Sequence, residues 1–460
     1  MKRSFRVSSV LVLALALTLG LVGAAPALAQ PQTVPVAALL NPDGTLNMTV
    51  AVNSALDLRG WGVTLDSQRG PVLSPQQQPS AAALSSAWYP LSNKGLNGTV
   101  NAIAAIGTDL YVGGDFTQTY DGAVTNLNRI AKYDTKTNTW SALPHNGLDN
   151  AVHSFAVMGT DLYVGGGFSQ TKDGAVTGLN AIARFDTTTG AWSALPHNGL
   201  GGGAVYALAV IGTKLYVGGG FSRTADNVIT SMWNFAIFDG ASWSSPNGGV
   251  YGGFVSSLVR VGTDLYVGGV FSHTWDNAVT NLNQIAKLDT TTDTWSALPH
   301  GGMNQFGGVR QLAAIGNDLY VGGQFDATQD GVVKDLNHIA RFDTATATWS
   351  ALPNKGLNGD TSAFGVLGTD LYVGGMFFGG TFDGAIRLNN LARFDTTTGA
   401  WSGLPNDGLS WPVHVFEPMG TDLYMGGDFW ASADGTVQDL RSIAKLGPPI
   451  YQVFLPLAKR

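Results

Sequence analysis

Short apolar runs recur along the chain, each closed by Gly, Asn, Asp or Pro, which is the pattern of many short strands rather than long helices. The first clear set gives four strands: A over Val100 to Ile106, B over Leu110 to Phe116, C over Arg129 to Tyr133 and D over Thr139 to Leu143. Tight turns join A to B and C to D. In the second, Asp134 opens a run in which an Asx side chain can bond the backbone ahead of it. Gly113 and Gly114 stand inside strand B, where glycine weakens a strand unless a large group must come close. The strand D Trp of the same blade is expected to fill that gap.

The set repeats. A block G-T-D-L-Y-V-G-G-x-F, then D-G-x-V-x-x-L-N, then I-A-R-F-D-T-x-T-x-x-W-S-A-L-P places its Tyr at Tyr111, Tyr163, Tyr216, Tyr266, Tyr320, Tyr372 and Tyr424. The intervals of 50 to 54 residues match one four-stranded unit each, and seven such units predict an all-β, seven-bladed propeller. Strand D supplies Trp140, Trp192, Trp243, Trp295, Trp349 and Trp401, but the seventh unit ends at Leu446 without one. Ser86 to Leu91 reads as the missing strand, with Trp88 standing 52 residues before Trp140. Pairing it with the last unit would close the ring and remove two bare β edges.

Composition narrows the picture. Gly reaches 61 and only 12% of residues are charged, against a coiled coil or helical bundle. A net charge of −7 without a basic run past the first residues argues against a nucleic-acid partner. Lys2, Arg3 and Arg6 precede an apolar run from Val10 to Ala25, and Ala27-Leu28-Ala29 has the small residues of a cleavage site, so residues 1–29 read as a secretory signal. No later run is apolar and long enough to span a bilayer. Residues 30–85 read as an N-terminal segment with a strand-like passage over 45–66 and a Pro/Gln/Ala-rich linker over 71–83. Residues 86–447 read as the propeller and 448–460 as a tail, either a sorting signal or an apolar strand. Without Cys there are no disulfides and no thiolate metal sites.

The doubled glycine after an apolar run, followed by a spaced aromatic and a Trp, resembles the kelch motif of galactose-oxidase-type propellers. The blocks Y-V-G-G-x-F and G-L-x-G-x-V-x-A-L are also similar to repeats of secreted cortical cell-polarity marker proteins. The first resemblance implies an interaction scaffold or, in a minority, an enzyme. Galactose-oxidase copper chemistry needs a Tyr crosslinked to Cys, and this chain has no Cys.

Alternating strands send the B–C and D–A loops to one face and the short, uniform A–B and C–D turns to the other, so the long, varied loops mark the binding face. Packing would impose one residue seven times, yet the position after the first Val of strand A reads Asn101, His153, Tyr206, Ser256, Arg310, Ser362 and His414. These form a candidate ring at the channel mouth, with solvated strand ends as the alternative. Aromatic residues gather on the same loops: Tyr120, Trp233, Trp275 and Phe382 between B and C, and Tyr251, Phe306 and Trp411 between D and A. They suit sugar faces and protein hot spots alike, unless they fold onto the blade beneath.

Three sets of polar residues are read as structural. Asp121 and its counterparts Asp173, Asp226, Asp276, Asp330, Asp383 and Asp434 precede Gly or Asn, which fits a turn with positive φ better than calcium. His145, His197 and His300 share a D–A loop position but sit on separate blades, too far apart for one zinc. Glu417, the only glutamate, falls where other blades place Ala, Val or Gly, and a solvated channel end accounts for it. The resulting expectation is a secreted, monomeric interaction module, without cofactor, that presents its loop face to an extracellular glycan or protein. A carbohydrate-active enzyme centred on His153, Arg310 and His414 and a structural cell-surface component are the competing readings.

Overall fold

The computed structural model describes residues 61–66, 70–75, 87–304 and 307–448. The signal reading, most of the N-terminal segment, Phe306 and the tail beyond Pro448 lie outside the described residues. The chain divides into two units, 1–83 and 84–460. In the first, Trp61–Asp66 pairs antiparallel with Gly70–Pro75, Trp61 opposite Pro75 and Asp66 opposite Gly70. The hairpin thus takes in the first residues of the stretch read as linker, because Val72 and Leu73 find ladder partners in Thr64 and Val63.

The second unit holds seven four-stranded antiparallel sheets. Blade one consists of Val100–Ile106, Asp109–Gly114, Ile130–Asp134 and Thr139–Ala142, within two residues of the strands read from sequence. The later inner strands begin at Val152, Val205, Val250, Gly308, Asp360 and Val413. Blade seven combines Val413–Met419, Asp422–Gly427 and Ile443–Gly447 with Ala87–Pro90 from the other end, Trp88 opposite Leu446. Every helix among the described residues is a single 3-10 turn after strand D, and none is long or apolar enough to cross a membrane.

The core lies between blades. Leu110, Tyr111 and Val112 of strand B are buried on both sides, as a strand covered on both faces requires. A Cβ on Gly113 would collide with Val152 Cγ1 and stand 2.8 Å from Phe155, both on the inner strand of blade two. Gly426 meets Val100 in the same way, so the last blade receives the first. The partner of the glycine is therefore the neighbouring blade's inner strand, not the Trp expected there. Strand D lies at the outer rim, too far out for its ring to reach this inner gap. Trp140 packs instead on Tyr133 of strand C, ring centroids 4.7 Å apart, and donates its Nε1–H to Ser92 O in the loop before it, 3.1 Å. The other six strand D Trp do likewise with a proline carbonyl, ending with Trp88 and Pro405 O at 2.9 Å.

One irregularity recurs in every blade. The pairing of strands A and B slips by one residue near its loop-side end, between Val100 and Ala102 in blade one and at the matching point in the other six. Such a bulge takes its extra residue out of the alternation and re-aims the side chain. The extra residues are Asn101, His153, Tyr206, Ser256, Arg310, Ser362 and His414. Blade four carries the A–B ladder farthest past the bulge, as one strand pair over Val250–Val261 and Asp264–Thr274 that reaches the loop face.

Candidate functional site

The seven bulge residues meet around one cavity of about 370 Å³ at the loop-side end of the channel. Beneath them Ile103, Phe155, Leu208, Leu258, Phe364 and Phe416 give an apolar lower wall. The result is a cup with a polar rim.

The rim residues are not equivalent. Asn101 Nδ2 donates to Asp115 at 3.3 Å and weakly to Val152 O at 3.5 Å. Ser256 Oγ donates to Val309 O at 2.6 Å, and Ser362 Oγ to Val413 O at 3.1 Å. All three reach a carbonyl on the next blade's inner strand and act as staples around the channel. His414 Nε2 lies 2.9 Å from Asp428 Oδ2, and the same carboxylate accepts from Thr99 Oγ1 of blade one. The three remaining residues are available. His153 packs against Tyr206 at 5.3 Å, and Tyr206 meets Phe254 edge-on at 5.6 Å. Burial holds the His153 imidazole below its usual pKa despite the opposing pull of Asp115, which favours the neutral ring at pH 7. Arg310 is exposed, without a hydrogen-bond or ion-pair partner among the described residues.

The loop aromatics divide in two groups. Tyr120, Tyr251, Phe382 and Trp411 are exposed, whereas Trp233 and Trp275 are half-buried and stacked on each other, centroids 4.0 Å apart and planes 12° apart. Tyr120 lies under the Arg441 guanidinium at 4.1 Å, and Tyr251 stacks on His273 at 4.7 Å. Trp411 faces Trp430 at 5.7 Å. Sequence reasoning missed Trp430 and the exposed Phe378. They fill one repeat position, directly after the buried Phe of the block, where the other blades carry Thr117, Ser169, Ser222, Ser272 and Asp326. The comparison that singled out the rim would have found them.

The loop aspartates hold the blades together. Asp121 Oδ1 accepts from Thr119 Oγ1 and from Ala123 N, while Oδ2 accepts from Asn93 in the preceding D–A loop. The backbone N–H of Ala123 is the main reason its carboxyl stays below the usual range. The same inter-loop bond recurs in the other six blades, with His145, His197 and His300 each on its own Asp at 2.8 to 3.0 Å. Among the described residues no three His, Cys, Asp or Glu stand close enough to share a metal ion.

Glu417 departs from expectation. It is half-buried between blades seven and one rather than at a solvated end, and Oε1 accepts from Ala105 N at 3.0 Å. Burial pushes its carboxyl up to about 7, and the Ala105 N–H only partly opposes this.

Seven four-stranded blades, with paired glycines on strand B and a Trp on strand D, define a seven-bladed β-propeller whose repeats are similar to kelch repeats. Residues 153–375, from the inner strand of blade two to the second strand of blade six, match the KLHDC2/KLHL20/DRC7 Kelch-repeats domain family. The chain is also similar to Polarized growth protein L1 of a Phoma species, 34% identical over 84 residues, which are 18% of this chain and 6% of that protein. A second relative, Polarized growth protein rax2 of Schizosaccharomyces pombe, is 31% identical over 111 residues, 23% of this chain and 9% of that protein. The matches thus span less than a tenth of these curated relatives. The crystal structure of the computationally designed Ika8 protein superposes with a TM-score of 0.45 at 13% identity, covering 78% of this chain and 98% of that one.

Proposed function

We propose that this propeller is an extracellular interaction module that grips a glycan or protein partner with its loop face. One observation carries the reading. Of the eleven exposed large apolar side chains among the described residues, ten lie on the B–C and D–A loops or the strand ends beside them, and only Val157 sits at the opposite end of its strand. Exposed apolar surface concentrated on one face is a mark of a contact site. The cup adds free functional groups at the centre of that face, in His153, Tyr206 and Arg310. The leader-like start of the chain supports an extracellular setting, and the polarized-growth names of the relatives agree with a role at the cell surface.

The test is binding of the purified chain to envelope fractions of the producing cell, after protease or periodate treatment to separate protein from glycan partners. Phe382→Asp combined with Trp411→Asp is expected to lower binding at least roughly tenfold, the loss of more than one hot-spot contact. Thr291→Asp, on the short-turn face, is expected to leave it unchanged. Equal binding by all three chains would refute the reading.

A further inference from the structure

We infer that a cleft between blades four and five, away from the channel mouth, binds a neutral carbohydrate chain. This deepens the reading of the loop face as a contact surface and rests on it. The cleft encloses about 380 Å³. One wall is the extended ribbon of blade four, through Gly252, Phe271 and Ser272, and the other is formed by Asn304 and Gln329, with Asn283 and Gln284 also lining it. A neighbouring depression of about 450 Å³ shares Asn283 and Gln329 and is lined beyond them by the His300–Asp330 pair, so the uncharged recess ends there.

The lining defines the ligand. Among the described residues no Asp, Glu, Lys or Arg lines this cleft, so a charged group entering it would lose water and gain no counter-ion there. Its side-chain functions are carboxamides, planar pairs of donor and acceptor that suit neighbouring hydroxyls. Gln284 is 8% exposed, and its Oε1 is buried with no hydrogen-bond partner, while Nε2 makes only a long contact of 3.4 Å to Asn304 O. A buried acceptor of this kind is costly to leave unmet, and a ligand hydroxyl would satisfy it. The backbone of the ribbon is already paired, Gln284 N to Phe271 O and Leu282 N to Ser272 O, so it offers no edge for a peptide strand. Recognition therefore falls to side-chain amides. At the rim, Tyr251 and His273 stack beside Gly252 and Ser272, and Trp275 follows at 5.6 Å from Tyr251, tilted by 37°, so aromatic surface for the C–H face of a sugar stands beside the amides.

Titration calorimetry of the full chain with neutral hexaoses of glucose, mannose and N-acetylglucosamine, and with a hexauronate as charged control, tests this. At least one neutral hexaose is expected to bind, and the hexauronate is not. Gln284→Met, which keeps the shape, and Gln329→Ala, on an exposed loop, are each expected to weaken binding roughly tenfold. Thr291→Asp, on the short-turn face, is expected to leave it unchanged. Binding that survives both amide substitutions, or preference for the hexauronate, overturns the inference. No hexaose binding with intact envelope binding overturns it alone, and absence of both overturns the module reading as well.

Discussion

Glu417 places a carboxyl where six blades have a small or apolar side chain. Its folded pKa of about 7 lies above the unfolded value near 4.5. Between those limits the unfolded chain releases its proton while the folded chain keeps it, so stability falls as pH rises from about 4.5 to 7 and levels off above. Glu417→Gln keeps the acceptor for Ala105 N and removes the charge. It is expected to raise the unfolding free energy at pH 8 by roughly 1–3 kcal/mol and to change little at pH 4. Parallel urea titrations at the two pH values check this, and an equal shift at both would contradict it. Other residues were only partly legible. The scatter Asn101, His153, Tyr206, Ser256, Arg310, Ser362 and His414 was visible because packing repeats whatever it controls. That Asn101, Ser256 and Ser362 spend their donors on the next inner strand was not, since the acceptor lies some fifty residues away in sequence.

At the scale of elements, the bulge and the glycine work together. The bulge turns a residue into the cup, while Val152 and Phe155 on either side of His153 both press toward Gly113. Gly113→Ala is expected to cost about 1–3 kcal/mol through overpacking. With Val152→Ala in the same chain, the loss should fall short of the sum of the single losses, because the second change vacates the space the first demands. A double-mutant cycle by urea unfolding reads the coupling, and strict additivity would place the glycine's role elsewhere. The strands themselves were legible because turns punctuate them and seven copies average out local noise. The facing of the strand D Trp was not, because a repeat gives the order of strands and leaves open which neighbour each side chain meets. The hairpin over Trp61–Asp66 and Gly70–Pro75 was half-seen for a related reason: its second strand is rich in Pro and Gly and matches no repeat.

For the whole molecule, the number of blades followed from the period, and the missing seventh Trp pointed to the other end of the chain. Trp88 is 5% exposed, and its indole N–H bonds Pro405 O. Trp88→Ala is expected to cost about 3–5 kcal/mol, as large aromatic deletions from a core do. Removal of residues 1–90 would bare the edge of Ile443–Gly447 and drive edge-to-edge association, visible as a concentration-dependent larger species in gel filtration. A truncated chain that stays monomeric and as stable as the parent would refute this.

The order of synthesis gives that pairing a further meaning. Ala87–Pro90 is made before every other strand of the propeller, yet its partner Ile443–Gly447 is the last strand of the seventh blade to be made. Six blades can stack as they emerge, but the circle has no way to lock until Ile443–Gly447 has been made. A prematurely terminated product therefore remains an open arc with adhesive ends, a state that cellular surveillance can tell from a finished wheel.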